Sequence, residues 1–199
     1  MGRSVSATHH SIARAQPPGA DRSYALAMTV FSLLWPGGEH IQRLVYAFGR
    51  LNGPARVDEL AVIHFARLAV IDRFPDHGQP PDDLRQRLQL FESNYNGSFG
   101  QYIDTFVDEV PGKMRAFWGT SYGFPWCLPL GPFKRYIEAN EFRIDHYYVR
   151  NPRATVKMVS SALRIVAANA QLLRKARGLE PGTFADRLRK LVTDLQSDL

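Results

Sequence analysis

Hydrophobic positions along the chain change rhythm several times, and each change marks an element. Leu26–Leu34 is a β-former-rich run of one strand's length, broken by Trp35-Pro36-Gly37-Gly38. Ile41, Leu44, Val45, Phe48 and Leu51 then fall at helical spacing, and Asn52-Gly53-Pro54 closes that helix. Val62–Asp72 (VIHFARLAVID) is nearly continuous and apolar, and reads as a central strand buried on both faces. A loop from Asp76 to Pro81, with a short turn at Asp83–Gln86, leads to a third strand at Leu88–Tyr95. Asn96-Gly97-Ser98 signals a turn with Ser98 as N-cap, and Phe99, Tyr102, Ile103, Phe106, Val107 and Val110 form a one-faced helix stopped by Pro111-Gly112. Met114–Ser121 (MRAFWGTS) reads as a fourth strand. The predicted order βαββαβ is the plan of a ferredoxin-like α+β sandwich, an antiparallel sheet with two helices on one face.

Beyond it, residues 122–132 form a loop rich in Pro, Gly and aromatics, Phe133–Asn140 a short helix, and Arg143–Arg150 an extra strand at the sheet edge. Thr155 is placed to cap a long helix to Arg177, on which Val156, Val159, Leu163, Val166, Ala170 and Leu173 keep a 3-4 spacing suited to a coiled-coil-like contact. Gly178 and Pro181-Gly182 end it. Thr183 and Asp186 resemble a capping box for a last amphipathic helix carrying Phe184, Leu188, Leu191, Val192 and Leu195. Three regions result: an N-terminal arm over 1–22, an α+β domain over 23–150, and a helical extension over 151–199.

Charge separates the last region from the rest. The chain of 199 residues carries +6, and residues 151–199 hold nine Lys/Arg against four Asp/Glu. Most of the basic excess therefore belongs to the tail, which reads either as a solvated helix face or as a surface for a partner protein, an acidic assembly or an anionic membrane over residues 155–195. Nucleic acid is the least favoured partner, because the sheet region is nearly neutral and no RNP-like pattern is present. The single cysteine, Cys127, excludes an internal disulfide framework and a Cys-rich zinc site. No Walker A, GxGxxG, HExxH, CxxC or GxSxG pattern occurs. The expected assignment is no metal, no cofactor and a cytoplasmic chain, held at most peripherally at a membrane or complex.

Candidate chemistry comes from the second and third strands. A register placing Leu68 and Val70 opposite Leu88 and Leu90 assigns that face to the helices. It puts His64 beside Glu92 or Asn94 at one sheet end. A carboxylate raises an imidazole's pKa and fixes its tautomer, and a carboxamide can orient a substrate, so these three are the catalytic candidates; a purely structural cluster is the alternative. The opposite face would carry Ile63, Phe65, Arg67, Gln89, Phe91, Ser93 and Tyr95. Arg67 in an apolar strand needs a carboxylate, carbonyls or an anionic ligand. Arg67, Phe65, Gln89, Phe91, Trp118 and Tyr148 are thus the ligand-binding candidates, with the late aromatics either walling a pocket or packing their loop.

The strand VIHFARLAVID, the segment LFESNYNGSFGQYIDTFVDEV, the stretch AFWGTSYGFP and YYVRNPRATV together resemble a group of poorly characterised bacterial proteins. These carry an IHFAR strand, an ESN-DGS turn and a W…GYP loop on a ferredoxin-like core, and some accompany haem catalase- or peroxidase-type enzymes. Asn96 stands where that turn usually has Asp. The resemblance implies the dimeric α+β barrel architecture and hence a homodimer. Haem members place a His on a late helix, whereas the Thr155–Arg177 helix has none; His64 and His146 are the remaining possible ligands. The cofactor-free barrel monooxygenases are the better template for His64, Arg67, Asn94 and Trp118. The expected function is binding, or cofactor-independent transformation, of a small apolar or anionic molecule in a sheet-face cavity. The alternative is an accessory subunit that docks through its basic C-terminal helices.

Overall fold

The computed structural model describes residues 25–51, 61–80, 84–109, 111–126 and 129–196. The N-terminal arm, the Asn52-Gly53-Pro54 stop, Val110 and Cys127 lie outside the described residues. The fold is α+β. Strands β1 (Ala25–Leu33), β2 (Ile63–Ile71), β3 (Leu88–Asn96) and β4 (Glu141–Phe142) form one antiparallel sheet in the order β2-β3-β1-β4. The helices are α1 (Gly38–Leu51), α2 (Phe99–Glu109), α3 (Pro111–Trp118), α4 (Leu130–Asn140), α5 (Val156–Ala176) and α6 (Pro181–Asp194).

The caps explain where the helices start. Ser98 Oγ accepts from the Gln101 amide at 3.2 Å while Gln101 Oε1 accepts from the Ser98 amide at 3.2 Å, a reciprocal capping box opening α2. Thr155 Oγ1 accepts from the Met158 amide at 3.1 Å and opens α5. α6 instead begins after Glu180, with Pro181 in its first turn, so Thr183 and Asp186 lie inside the helix and Asp186 pairs with Arg189. One sheet face, through Met28, Val30, Phe91 and Tyr95, packs on α2, α3 and α4 through Tyr102, Ile103, Phe106, Met114, Trp118, Phe133 and Ile137. Edge-to-face aromatic contacts run from Phe91 to Trp118, Phe133, Phe124 and Tyr136. Packing therefore explains Phe117, Trp118 and Phe124 of the late aromatics, whereas Tyr122, Trp126, Tyr147 and Tyr148 are exposed.

Four expectations are corrected. Met114–Ser121 is not a strand: residues 111–118 are α3, whose Met114 and Trp118 are one turn apart and both buried. Gly119 ends α3, and a Cβ there would lie 2.4 Å from the Arg115 carbonyl oxygen. Arg143–Arg150 is irregular; only Glu141 and Phe142 pair with β1, opposite Val30 and Thr29. β2 is an edge strand, exposed from His64 to Arg67, rather than a central one buried on both faces. The register also differs. Ile63 pairs with Tyr95, but Phe65 pairs with Asn94, so His64 is the extra residue of a β-bulge. From there Leu68 faces Phe91 and Val70 faces Gln89. Gln89, Phe91, Ser93 and Tyr95 thus lie on the helix side, buried, and Leu88, Leu90, Glu92 and Asn94 lie on the open side.

Helix α1 turns its polar side inward. Gly38 and Gln42 are buried while Ile41, Leu44 and Phe48 are exposed. Gln42 explains the choice: its Nε2 donates to the Ala116 and Phe117 carbonyls at 3.2 and 2.9 Å, and its Oε1 accepts from Thr120 Oγ1 at 2.8 Å. Those carbonyls end α3, where no intrahelical donor remains, and the amide satisfies them.

Candidate functional site

The sequence candidates divide between two sides of the sheet. On the open face, register places Phe65 across from Asn94 and Arg67 across from Glu92. Arg67 Nη2 and Glu92 Oε2 are 2.5 Å apart, with the two side chains 55% and 31% exposed. The guanidinium expected to seek a ligand is answered by its cross-strand neighbour. In this half-exposed setting the pair is worth no more than about 1 kcal/mol. Thr29, Phe31 and Leu33 of β1, Ala69 and Ile71 of β2, and Phe142 of β4 surround the pair on the same face, and Phe31 meets Phe142 edge-on at 5.6 Å. His64 stands exposed in the bulge between the Ile63 and Phe65 pairs.

Gln89, Phe91 and Trp118 are on the other side, inside the core. Their proposed contact with a ligand on the sheet face is replaced by packing, with Phe91 against Trp118 at 5.0 Å between ring centroids. Tyr148 is 77% exposed in the irregular segment after β4. The structure thus brings together Phe65, Arg67, Glu92 and Asn94, sets His64 beside them, and separates Gln89, Phe91, Trp118 and Tyr148 from them.

A buried polar seam escaped the sequence reading. Ser32 pairs across the sheet with Gln89, and both are buried. Neither end of the Gln89 amide has a hydrogen-bond partner among the described residues. Burial raises the Tyr136 pKa, although the neighbouring hydroxyls of Ser32 and Ser121 lower it. These three oxygens interact without reaching hydrogen-bond geometry. The Gln89 position gave no signal, because a period-two pattern with apolar residues on both faces does not say which face is inside.

A cleft of about 570 Å3 opens between α2 and the start of α5, lined by Ala61, Asn96, Gln101, Asp104, Asp108 and Thr155 among others. Several of its polar groups are engaged in holding the fold. Asp104 pairs with Lys134 at 2.6 Å, Asn96 Oδ1 accepts from the Val156 amide at 3.1 Å, and Thr155 caps α5. At its wall Tyr102 donates to Ser93 Oγ at 2.6 Å, and burial pushes the Tyr102 hydroxyl well above the usual phenol range. Elsewhere Asp72 has its pKa lowered by its hydrogen bond with Arg43, and burial raises Tyr46 to about 12. Among the described residues no three His, Cys, Asp or Glu side chains gather as a metal site.

The basic C-terminal hairpin presents a different kind of surface. On α5 the residues withdrawn from water are Ser161, Ile165, Ala168, Leu172 and Ala176 along one side, with Val156 and Ala170 half-buried on another. The 3-4 series expected to pack is largely outside: Val159, Leu163, Val166 and Leu173 are 43–66% exposed. At ~100° per residue the two stripes lie roughly 140° apart, so α5 is apolar on two sides and uses one. α6 adds exposed Leu188 and Val192. Among the described residues no helix is long and apolar enough to cross a membrane. No family model, curated protein or solved structure matches this chain.

Proposed function

We propose that the chain is an interaction domain that docks through its C-terminal helical hairpin. One observation carries the reading: Val159, Leu163, Val166 and Leu173 on the outer side of α5 are apolar and exposed, and isolated apolar residues are common on surfaces whereas an aligned stripe marks a contact site. Basic residues on the same hairpin, including Lys157, Arg174, Lys175, Arg187 and Lys190, suit a partner surface edged with carboxylates. The test is the native size of the chain in an extract of its host, followed by immunodetection. The wild type should run in a complex larger than 22.5 kDa. A Leu163→Glu/Val166→Glu variant should run as a monomer with an unchanged melting temperature, because both side chains are exposed. Identical migration of the two proteins overturns the reading.

Small-molecule binding is a second reading, favoured by the convergence of Phe65, Arg67, Glu92 and Asn94 on one open face. It ranks below the first because Glu92 already answers Arg67. Native mass spectrometry of the purified chain tests it: a mass excess removed by Arg67→Ala supports binding, and a bare polypeptide mass rejects it.

A further inference from the structure

Two apolar surfaces of this chain lack a described neighbour, and they match in length. The open sheet face carries Phe31, Leu33, Phe65, Leu90 and Phe142, with its one described ion pair neutralised in place. Its three nine-residue strands are about 30 Å long at ~3.3 Å per residue and at ~4.8 Å spacing span roughly 10–14 Å, with the two-residue β4 added along part of one edge. The C-terminal hairpin is built from a 21-residue helix, about 31 Å long at ~1.5 Å per residue. Two helices packed ~8–10 Å apart make a layer close to 20 Å wide. The exposed stripe of α1 is too short to serve, since Ile41 to Phe48 covers only about 10 Å. In its own chain α5 packs chiefly on α6, tied to the sheet end by the Val156 amide on Asn96.

We infer that the occupant is a second copy of this chain, with each copy laying the outer stripe of its α5–α6 hairpin on the open sheet face of the other. This rests on the docking reading above and names its partner. Area favours exchange over simple face-to-face pairing of the sheets. A sheet face of roughly 400 Å2 falls short of the ~800 Å2 that each partner gives to a standard interface. Reciprocal seating uses both the sheet face and the hairpin of each copy, about 800 Å2 per copy, which reaches it. It also keeps the Arg67–Glu92 pair within each copy, so the sheet side brings no unpaired charge from that pair into the contact.

Sedimentation equilibrium of the purified full-length chain should give twice 22.5 kDa. Leu163→Glu/Val166→Glu should weaken the dimer at least tenfold. Geometry is read by disulfide trapping in a Cys127→Ser background that still dimerises. Val166→Cys mixed with Leu90→Cys should give a covalent dimer containing one chain of each. A monomer at ~100 μM, where a μM interface would be saturated, overturns the inference. So does a dimer trapped only as Leu90→Cys with itself, which means paired sheets, or only as Val166→Cys with itself, which means paired helices. A disulfide formed inside single chains of the double variant places the hairpin on its own sheet and also overturns it. A purified monomer whose complex in the host extract still depends on Leu163 and Val166 would refute the second copy and leave the docking reading standing.

Discussion

Gln89→Met should stabilise this protein, although it replaces a residue fully enclosed by the core. The Gln89 side chain is 0% exposed, and neither its Nε2 nor its Oε1 meets a partner among the described residues. Its neighbours across the sheet are Ser32 on one side and Val70 on the other. Burying an amide without compensation costs about 1–3 kcal/mol on protein mutational scales. Methionine has nearly the same length and volume, so the substitution removes that cost without opening a cavity. The expected gain is about 1–3 kcal/mol. For a chain of this size ~1 kcal/mol moves the melting temperature by about 2–4 °C, so the rise should fall between about 2 and 12 °C. Urea unfolding followed by tryptophan fluorescence is the assay, since Trp118 stacks edge-on against Phe91 two residues away. The midpoint should rise with an unchanged slope. A fall in the midpoint would refute the reasoning, because it would mean that the amide makes bonds whose loss outweighs its desolvation.

Two further outcomes follow from the same geometry. Gly119→Ala should destabilise by about 1–3 kcal/mol, because its methyl would stand 2.4 Å from the Arg115 carbonyl oxygen and force α3 to shift; a midpoint equal to wild type in urea would show that the helix end yields freely. Tyr102 governs an alkaline limb. Its folded pKa is raised by burial above the unfolded value near 10, so its contribution is complete below pH ~10 and declines as the pH rises beyond, at up to ~1.4 kcal/mol per pH unit. Tyr102→Phe should be less stable at neutral pH through loss of the Ser93 hydrogen bond, yet lose less stability between pH 10 and 11 than wild type does. Equal slopes for the two proteins would reject the assignment.

Short-range rules made much of this chain legible. Strands β1 and β3, helices α2 and α5, and the caps at Ser98 and Thr155 are encoded within about four residues of themselves, by repeating apolar positions and by side chains that can reach the first free amides. The segment Met114–Ser121 misled because aromatic and β-branched residues favour both a strand and a helix packed against a core; burial of Met114 and Trp118 on one side decided for the helix. The candidate site suffered more. A single extra residue, His64, changes the pairing partner of every residue after it, and both sides of β3 are apolar enough to be inside.

Local pattern therefore specified that β1 and β3 are extended, that α1, α2, α5 and α6 are helical, and where α5 begins. Only the assembled sheet decided that Gln89 and Phe91 are core residues, that Glu92 neutralises Arg67, and that α1 buries Gln42 in place of Ile41 and Leu44. The reason is one of range: a turn of helix or a pleat answers to its immediate neighbours, whereas the side that faces inward answers to partners dozens of residues away, whose carbonyls and apolar surfaces the neighbouring sequence does not contain.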